Sequence, residues 1–250
     1  MTDLGVKCWG GPGYGQNDVP YLKNPIQVSA GLGHTCALTD DGVKCWGMND
    51  EHQTDVPLLN NPIQISAGSF HTCALTDGGV KCWGENDYGQ TDVPILNHPI
   101  QVSAGLSHTC ALTDDGVKCW GDNRFSITDV PDLNNPVQIS ASCHFNTCAL
   151  TDGGVKCWGY DLRADGPYLN HPIQISAGGG QACALTDDGV GCWGDNQYGQ
   201  TNVPLLNNPV QVSAGRGHAC ALTDDGVKCW GDNQYGQTDV PDLSSAGFSR

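Results

Sequence analysis

The chain has 250 residues and carries 27 acidic side chains against 11 basic ones, a net charge of −16. A field of that sign repels phosphate backbones and anionic lipid, so nucleic-acid and membrane-surface binding are not expected. No apolar run approaches the ~18 residues of a membrane helix, and the first ten residues already read as repeat sequence, with no signal peptide among them.

The tripeptide Cys-Trp-Gly begins at Cys8, Cys45, Cys82, Cys119, Cys157, Cys192 and Cys229, and it contains all seven tryptophans. A period of roughly 37 residues means a repeat architecture. One such unit cannot bury enough surface to fold alone, so stability must come from neighbours stacking. Residues 1–250 are therefore expected to form a single domain of seven repeats.

Residues 1–10 supply the end of one repeat, followed by GPGYGQNDVP. The first full cycle then runs YLKNPIQVSAG, LGHTCALTD, DGVKCWG, MNDEHQTDVP. Alternation and turn residues predict four strands per repeat, centred on QVSAG, HTCALT, GVKCWG and QTDVP. Thr39-Asp40-Asp41-Gly42 has the chemistry of a hairpin turn. With Leu38 opposite Val43, Cys36 stands opposite Cys45, within disulfide range.

The same nine-residue offset gives Cys36–Cys45, Cys73–Cys82, Cys110–Cys119, Cys148–Cys157, Cys183–Cys192 and Cys220–Cys229. Six disulfides are the first reading and imply an oxidising compartment, hence a secreted or periplasmic protein. Zinc is the poorer alternative, because C-x8-C lacks the tight spacing of a zinc site and no fourth ligand is evident. The third reading is of buried small side chains in a reducing cell. Cys8 and Cys143 have no partner at this offset.

Ser245-Ala-Gly opens a repeat that the N-terminus continues, the two ends together making one nearly complete repeat. Dividing one repeat between the two ends predicts a closed ring, with N- and C-terminal strands paired in one blade. The expected fold is all-β: a seven-bladed β-propeller with four antiparallel strands per blade.

The pattern SAGxxHTCALTxxGxVKCWGxNxxGQ resembles the regulator of chromosome condensation repeat, a seven-bladed propeller family. In repeat length and in the recurring GQTDVP it resembles more closely the type II β-lactamase inhibitor proteins of streptomycetes. That resemblance implies that loops of one face seize a partner protein.

Strand order puts the SAGxxH and WGxNxxGQ loops on one face and the Thr-Asp-x-Gly turns on the other. The first face varies between repeats and bears the aromatic and arginine residues that anchor protein interfaces. The resemblance carries partner binding onto Phe70, Arg124, Phe125, Phe145, Tyr160 and Arg163. Tyr14, Tyr88, Tyr198 and Tyr235 share one slot before Gly-Gln and are expected to pack on their own loops; Phe125 falls in the same slot and is open to the same reading. His34, His71, His108 and His218 are expected to be structural.

No catalytic motif, cofactor motif or metal site is recognised. The expectation is a monomeric, non-enzymatic module that binds a protein, possible inhibition included. A carbohydrate-binding propeller is the alternative, and guanine-nucleotide exchange the third reading, by analogy alone.

Overall fold

The computed structural model describes residues 5–11, 13–160, 166–167 and 169–243. The first sheet is β1 (Pro25–Ala30), β2 (His34–Thr39) and β3 (Gly42–Gly47), and the second is β4 (Pro62–Ala67), β5 (His71–Thr76) and β6 (Gly79–Gly84). The third is β7 (Pro99–Ala104), β8 (His108–Thr113) and β9 (Gly116–Gly121); the fourth is β10 (Gln138–Ala141), β11 (Asn146–Thr151) and β12 (Gly154–Gly159). The fifth is β13 (Pro172–Ala177), β14 (Gln181–Thr186) and β15 (Gly189–Gly194), and the sixth is β16 (Gln211–Ala214), β17 (His218–Thr223) and β18 (Gly226–Gly231). Every sheet is antiparallel.

The turn sets each hairpin. Thr76 Oγ1 donates to Gly79 O and accepts from Gly78 N, while Gly79 takes φ +105°, a conformation open to glycine. Leu75 then pairs with Val80 and Cys73 with Cys82. The same register places all six cysteine pairs opposite one another, and six disulfides form, with Cα atoms 4.0–4.1 Å apart.

Two expectations are corrected here. The described residues form six sheets of three strands, not seven blades of four. The segment expected as the fourth strand, Gln53–Pro57, makes no ladder. Pro57 has no N–H to give, and Val56 N turns back onto Thr54 O. Side chains hold this segment instead: Trp83 Nε1 donates to Gln53 O and Lys81 Nζ to Leu58 O. The lysine heads are engaged in this way in repeat after repeat.

The pairing of the chain's two ends falls largely on residues 1–4 and 244–250, outside the described residues, and no sheet joins the ends among those described. Side chains do cross between them: Trp9 Nε1 donates to Gln237 O and Lys7 Nζ to Asp242 O.

Successive sheets pack face to face as an all-β propeller. The disulfide Cys36–Cys45 with Leu38 and Val43 lies against Ile65, Ala74 and Trp83 of the next sheet, with Val56 and Leu59 filling between. The first strands of the six sheets surround an axial cavity of about 450 Å³. Along this axis polar side chains splice neighbouring sheets together. Gln101 donates to Ile139 O and accepts from Ile139 N, and Ser103 Oγ accepts from Ala141 N. Two inward-facing strands that are not laddered to each other thus have their backbone groups satisfied.

Histidines join the sheets further out. His34, His71 and His108 are buried, and their Nε2 atoms lie 2.9 Å from Oγ1 of Thr72, Thr109 and Thr147. Thr72 and Thr109 each donate their single proton to a carbonyl, that of Gln53 or Gln90. His34 and His71 must therefore donate through Nε2. Where Asn146 and Gln181 stand in the histidine position, the following sheet has Ala182 and Ala219 in place of threonine.

Candidate functional site

Beyond each hairpin the chain stays paired for one more bond on the face opposite the Thr-Asp-x-Gly turns. Glu85 N donates to Phe70 O, Asp122 N to Ser107 O and Tyr160 N to Phe145 O. At this crossing the glycine of Cys-Trp-Gly is required: Gly159 has φ +107°, and a Cβ there would collide with Phe145 O. The two variable loops of each repeat are thereby fixed side by side.

In most repeats the second loop is closed by its glutamine. Gln53, Gln90 and Gln200 are buried, and Oε1 of each accepts a backbone N–H two residues back, from Glu51, Tyr88 or Tyr198. In the third repeat Ile127 replaces this glutamine and is fully buried. An isoleucine cannot accept that bond. Asp122 Oδ1 still accepts from Arg124 N, as Asp195 and Asp232 accept in their loops, and Ser126 at φ +56° keeps the positive φ usual at its position, but Phe125 swings to φ +65°. A bulky residue at positive φ is uncommon and signals a constrained loop.

The swing re-aims Phe125. Its ring centroid lies 4.5 Å from that of Tyr160 and 5.0 Å from that of Phe145, both from the next repeat. His144 meets Phe145 edge-on at 5.6 Å. The Arg124 guanidinium lies 4.7 Å from the Tyr88 ring centre and 5.6 Å from that of Phe145. Arg124 Nε donates to both Asp122 oxygens, and its terminal nitrogen lies 2.7 Å from Oδ2. The Asp122 side chain is almost wholly buried, whereas Arg124 is half exposed. Arg124 is therefore a neutralised platform between two rings rather than a free cation.

Four of the six expected partner-binding residues, Arg124, Phe125, Phe145 and Tyr160, are brought together. Phe125 does not follow the shared-slot reading, because it leaves its own loop for its neighbour's. Phe70 is half-buried, and no ring contact is found for it among the described residues. Arg163 lies outside the described residues. Asp122 and Ile127 were missed; the legible signal for both was the break from the repeat pattern at Ile127. The tyrosines of the shared slot also lean outward: a Cβ at Gly33 would touch Tyr14, and one at Gly217 would touch Tyr198. Each therefore packs on the following repeat's loop rather than its own.

On the aromatic face Glu85 is pushed up from its ordinary value by burial and by the nearby carboxylates of Asp87 and Glu51. His144 is pushed down by burial and by Arg216, and burial pushes the Cys143 thiol up. The buried histidines are held neutral by desolvation, His71 at about 3 and His34 and His108 at about 4. Among the described residues no group of three His, Cys, Asp or Glu side chains could hold a metal.

The fold is shared with solved proteins. The ectodomain of the Physcomitrella patens receptor kinase CR4 is similar at 25% identity and a TM-score of 0.76, over 90% of this chain and 66% of that one. The ectodomain of the Arabidopsis thaliana receptor kinase ACR4 is similar at 26% identity and a TM-score of 0.68, over 84% of this chain and 86% of that one. Prp20p of Saccharomyces cerevisiae, described with its binding to Gsp1p and histones, superposes at a TM-score of 0.79 and 17% identity, over 96% of this chain and 85% of its own. Comparison with curated protein sequences found no significant match. The Regulator of chromosome condensation (RCC1) repeat model matches residues 26–53, 63–90, 100–126, 173–200 and 210–237, more than half of the sequence. The chain belongs to the Regulator of chromosome condensation (RCC1) repeat family.

Proposed function

We propose that this protein is a non-enzymatic module that captures a partner protein through the patch formed by Arg124, Phe125, Phe145 and Tyr160. The observation that carries this reading is the convergence of rings from two repeats onto one arginine. Phe125 and Tyr160 remain about half exposed there. Rigid aromatics around an arginine are the composition of an interface hot spot, and such a site on a constant scaffold is how repeat folds bind. The six disulfides, together with two similar structures that are receptor ectodomains, support a setting outside the cytosol.

An inhibitory role rests on the motif resemblance to the β-lactamase inhibitor proteins. It is tested by assaying a panel of serine β-lactamases with the wild-type protein and with Phe125→Ala/Phe145→Ala/Tyr160→Ala. Inhibition lost in the triple variant, with an unchanged melting temperature, supports both the target and the patch. Inhibition retained by the variant removes the patch, and no inhibition removes this target class. A sugar-binding role predicts equivalent sites repeat after repeat; the patch is present between the third and fourth repeats alone among the described residues, which favours the protein partner.

A further inference from the structure

The patch sits at the edge of a surface whose charge is one-sided. All seven lysines have their ammonium groups engaged. Lys44, Lys81, Lys118, Lys156 and Lys228 donate to the carbonyl that follows each Val-Pro, Lys7 donates to Asp242 O, and Lys23 pairs with Asp41. On the aromatic face, by contrast, Asp50, Glu51, Glu85 and Asp87 take part in no ion pair among the described residues, and Arg124 is already matched by Asp122. Glu85 and Asp87 belong to the same loop as Tyr88, so carboxylates without a cationic partner share the loop of one of the rings, Glu85 accepting from Gln90 Nε2 within it.

Resting on the patch as the binding site, we infer that its partner presents a basic segment, which seats a lysine or arginine against the Tyr88, Phe125 and Tyr160 rings and runs on toward Glu85 and Asp87. The occupant follows from charge complementarity. An acidic segment would meet repulsion from Glu51, Glu85 and Asp87, and the Arg124 guanidinium between the rings is already matched by Asp122. A basic segment gains cation–π contact with ring faces that are already ordered, and the molecule's net charge of −16 steers it inward.

The test uses the full chain and three synthetic twelve-residue peptides with the same leucine content, whose polar residues are lysine, serine or glutamate. Binding is followed by calorimetry and by NMR of the aromatic side chains. The lysine peptide is expected to bind and to shift the Phe125, Phe145 and Tyr160 resonances. Its affinity is expected to fall about tenfold in Glu85→Gln/Asp87→Asn and to weaken with added salt. Equal shifts from the serine peptide would overturn the basic partner and leave the patch standing. Preference for the glutamate peptide would do the same. A lysine peptide whose footprint lies on the Thr-Asp-x-Gly turns, or that shifts nothing, would remove both the inference and the patch.

Discussion

The rings of Phe125 and Tyr160 meet at 4.5 Å with their planes tilted by 56°, across the boundary between two repeats. Tilted aromatic pairs contribute about 0.5–1.5 kcal/mol beyond their area, and half exposure puts this pair at the lower end. A double-mutant cycle of Phe125→Ala and Tyr160→Ala in urea should show a coupling of about 0.5 kcal/mol or more. Strict additivity would mean that the rings are not held together in solution.

Ile127 stands beside that meeting and withholds from Phe125 N the acceptor that Gln90 gives to Tyr88 N. The double change Ile127→Gln/Ser126→Gly restores the residues of the common loop. It should return Phe125 to negative φ and withdraw its ring from Tyr160, with the loss of the Tyr160 ring-current shifts. Partner binding should fall although no ring of the patch has been altered. An unchanged NMR spectrum for Tyr160 would show that the loop is shaped by something other than the missing glutamine.

The buried histidines predict acid sensitivity. Their folded-state values, about 3 for His71 and about 4 for His34 and His108, lie below the ordinary 6.5, so the neutral ring favours the folded protein. That stabilisation is complete above about pH 6.5 and is lost as the pH falls through 4 and then 3. Within the window each histidine should lower the unfolding free energy by about 1.4 kcal/mol per pH unit. His71→Gln should flatten the pH dependence of the urea midpoint by one such increment. The fifth repeat already holds an amide in this position, where Gln181 Nε2 donates to Gly215 O. A slope unaffected by the substitution would place the acid sensitivity elsewhere.

The cysteines give a further check. Six bridges lower the intact mass by about 12 Da against the reduced protein and leave Cys8 and Cys143 as thiols. Burial pushes both thiols up, so alkylation at neutral pH should be slow and should quicken as the solution is made alkaline. Replacing Cys73 and Cys82 by alanine should cost up to about 2.5 kcal/mol from loop entropy, along with packing lost against Val102 and Ala104.

The hairpins were legible in the sequence because three local signals agree there: the alternation, the Thr-Asp-x-Gly turn and the nine-residue cysteine offset. The outer segment misled because Gln-Thr-Asp-Val-Pro has the alternation of a strand. Whether it ladders depends on where its carbonyls are satisfied, and here Lys81 and Trp83, 23 and 30 residues further along the chain than the carbonyls they bind, satisfy those of Leu58 and Gln53. The site was half legible. Residues that broke the repeat pattern pointed to the right loops, yet the slot shared with Tyr88 suggested the wrong orientation for Phe125. Like the tyrosines of that slot it reaches the following repeat, but from a positive φ and beside a missing acceptor two residues later.

The histidine–threonine contacts make the order of the units part of the design. His34, His71 and His108 each meet a hydroxyl on the next sheet, whereas Asn146 and Gln181 are followed by alanine. A chain reassembled with these units transposed would bury an imidazole N–H without a receiver. Each junction therefore carries an address, and units that look interchangeable along the sequence can be joined in only some of the possible arrangements.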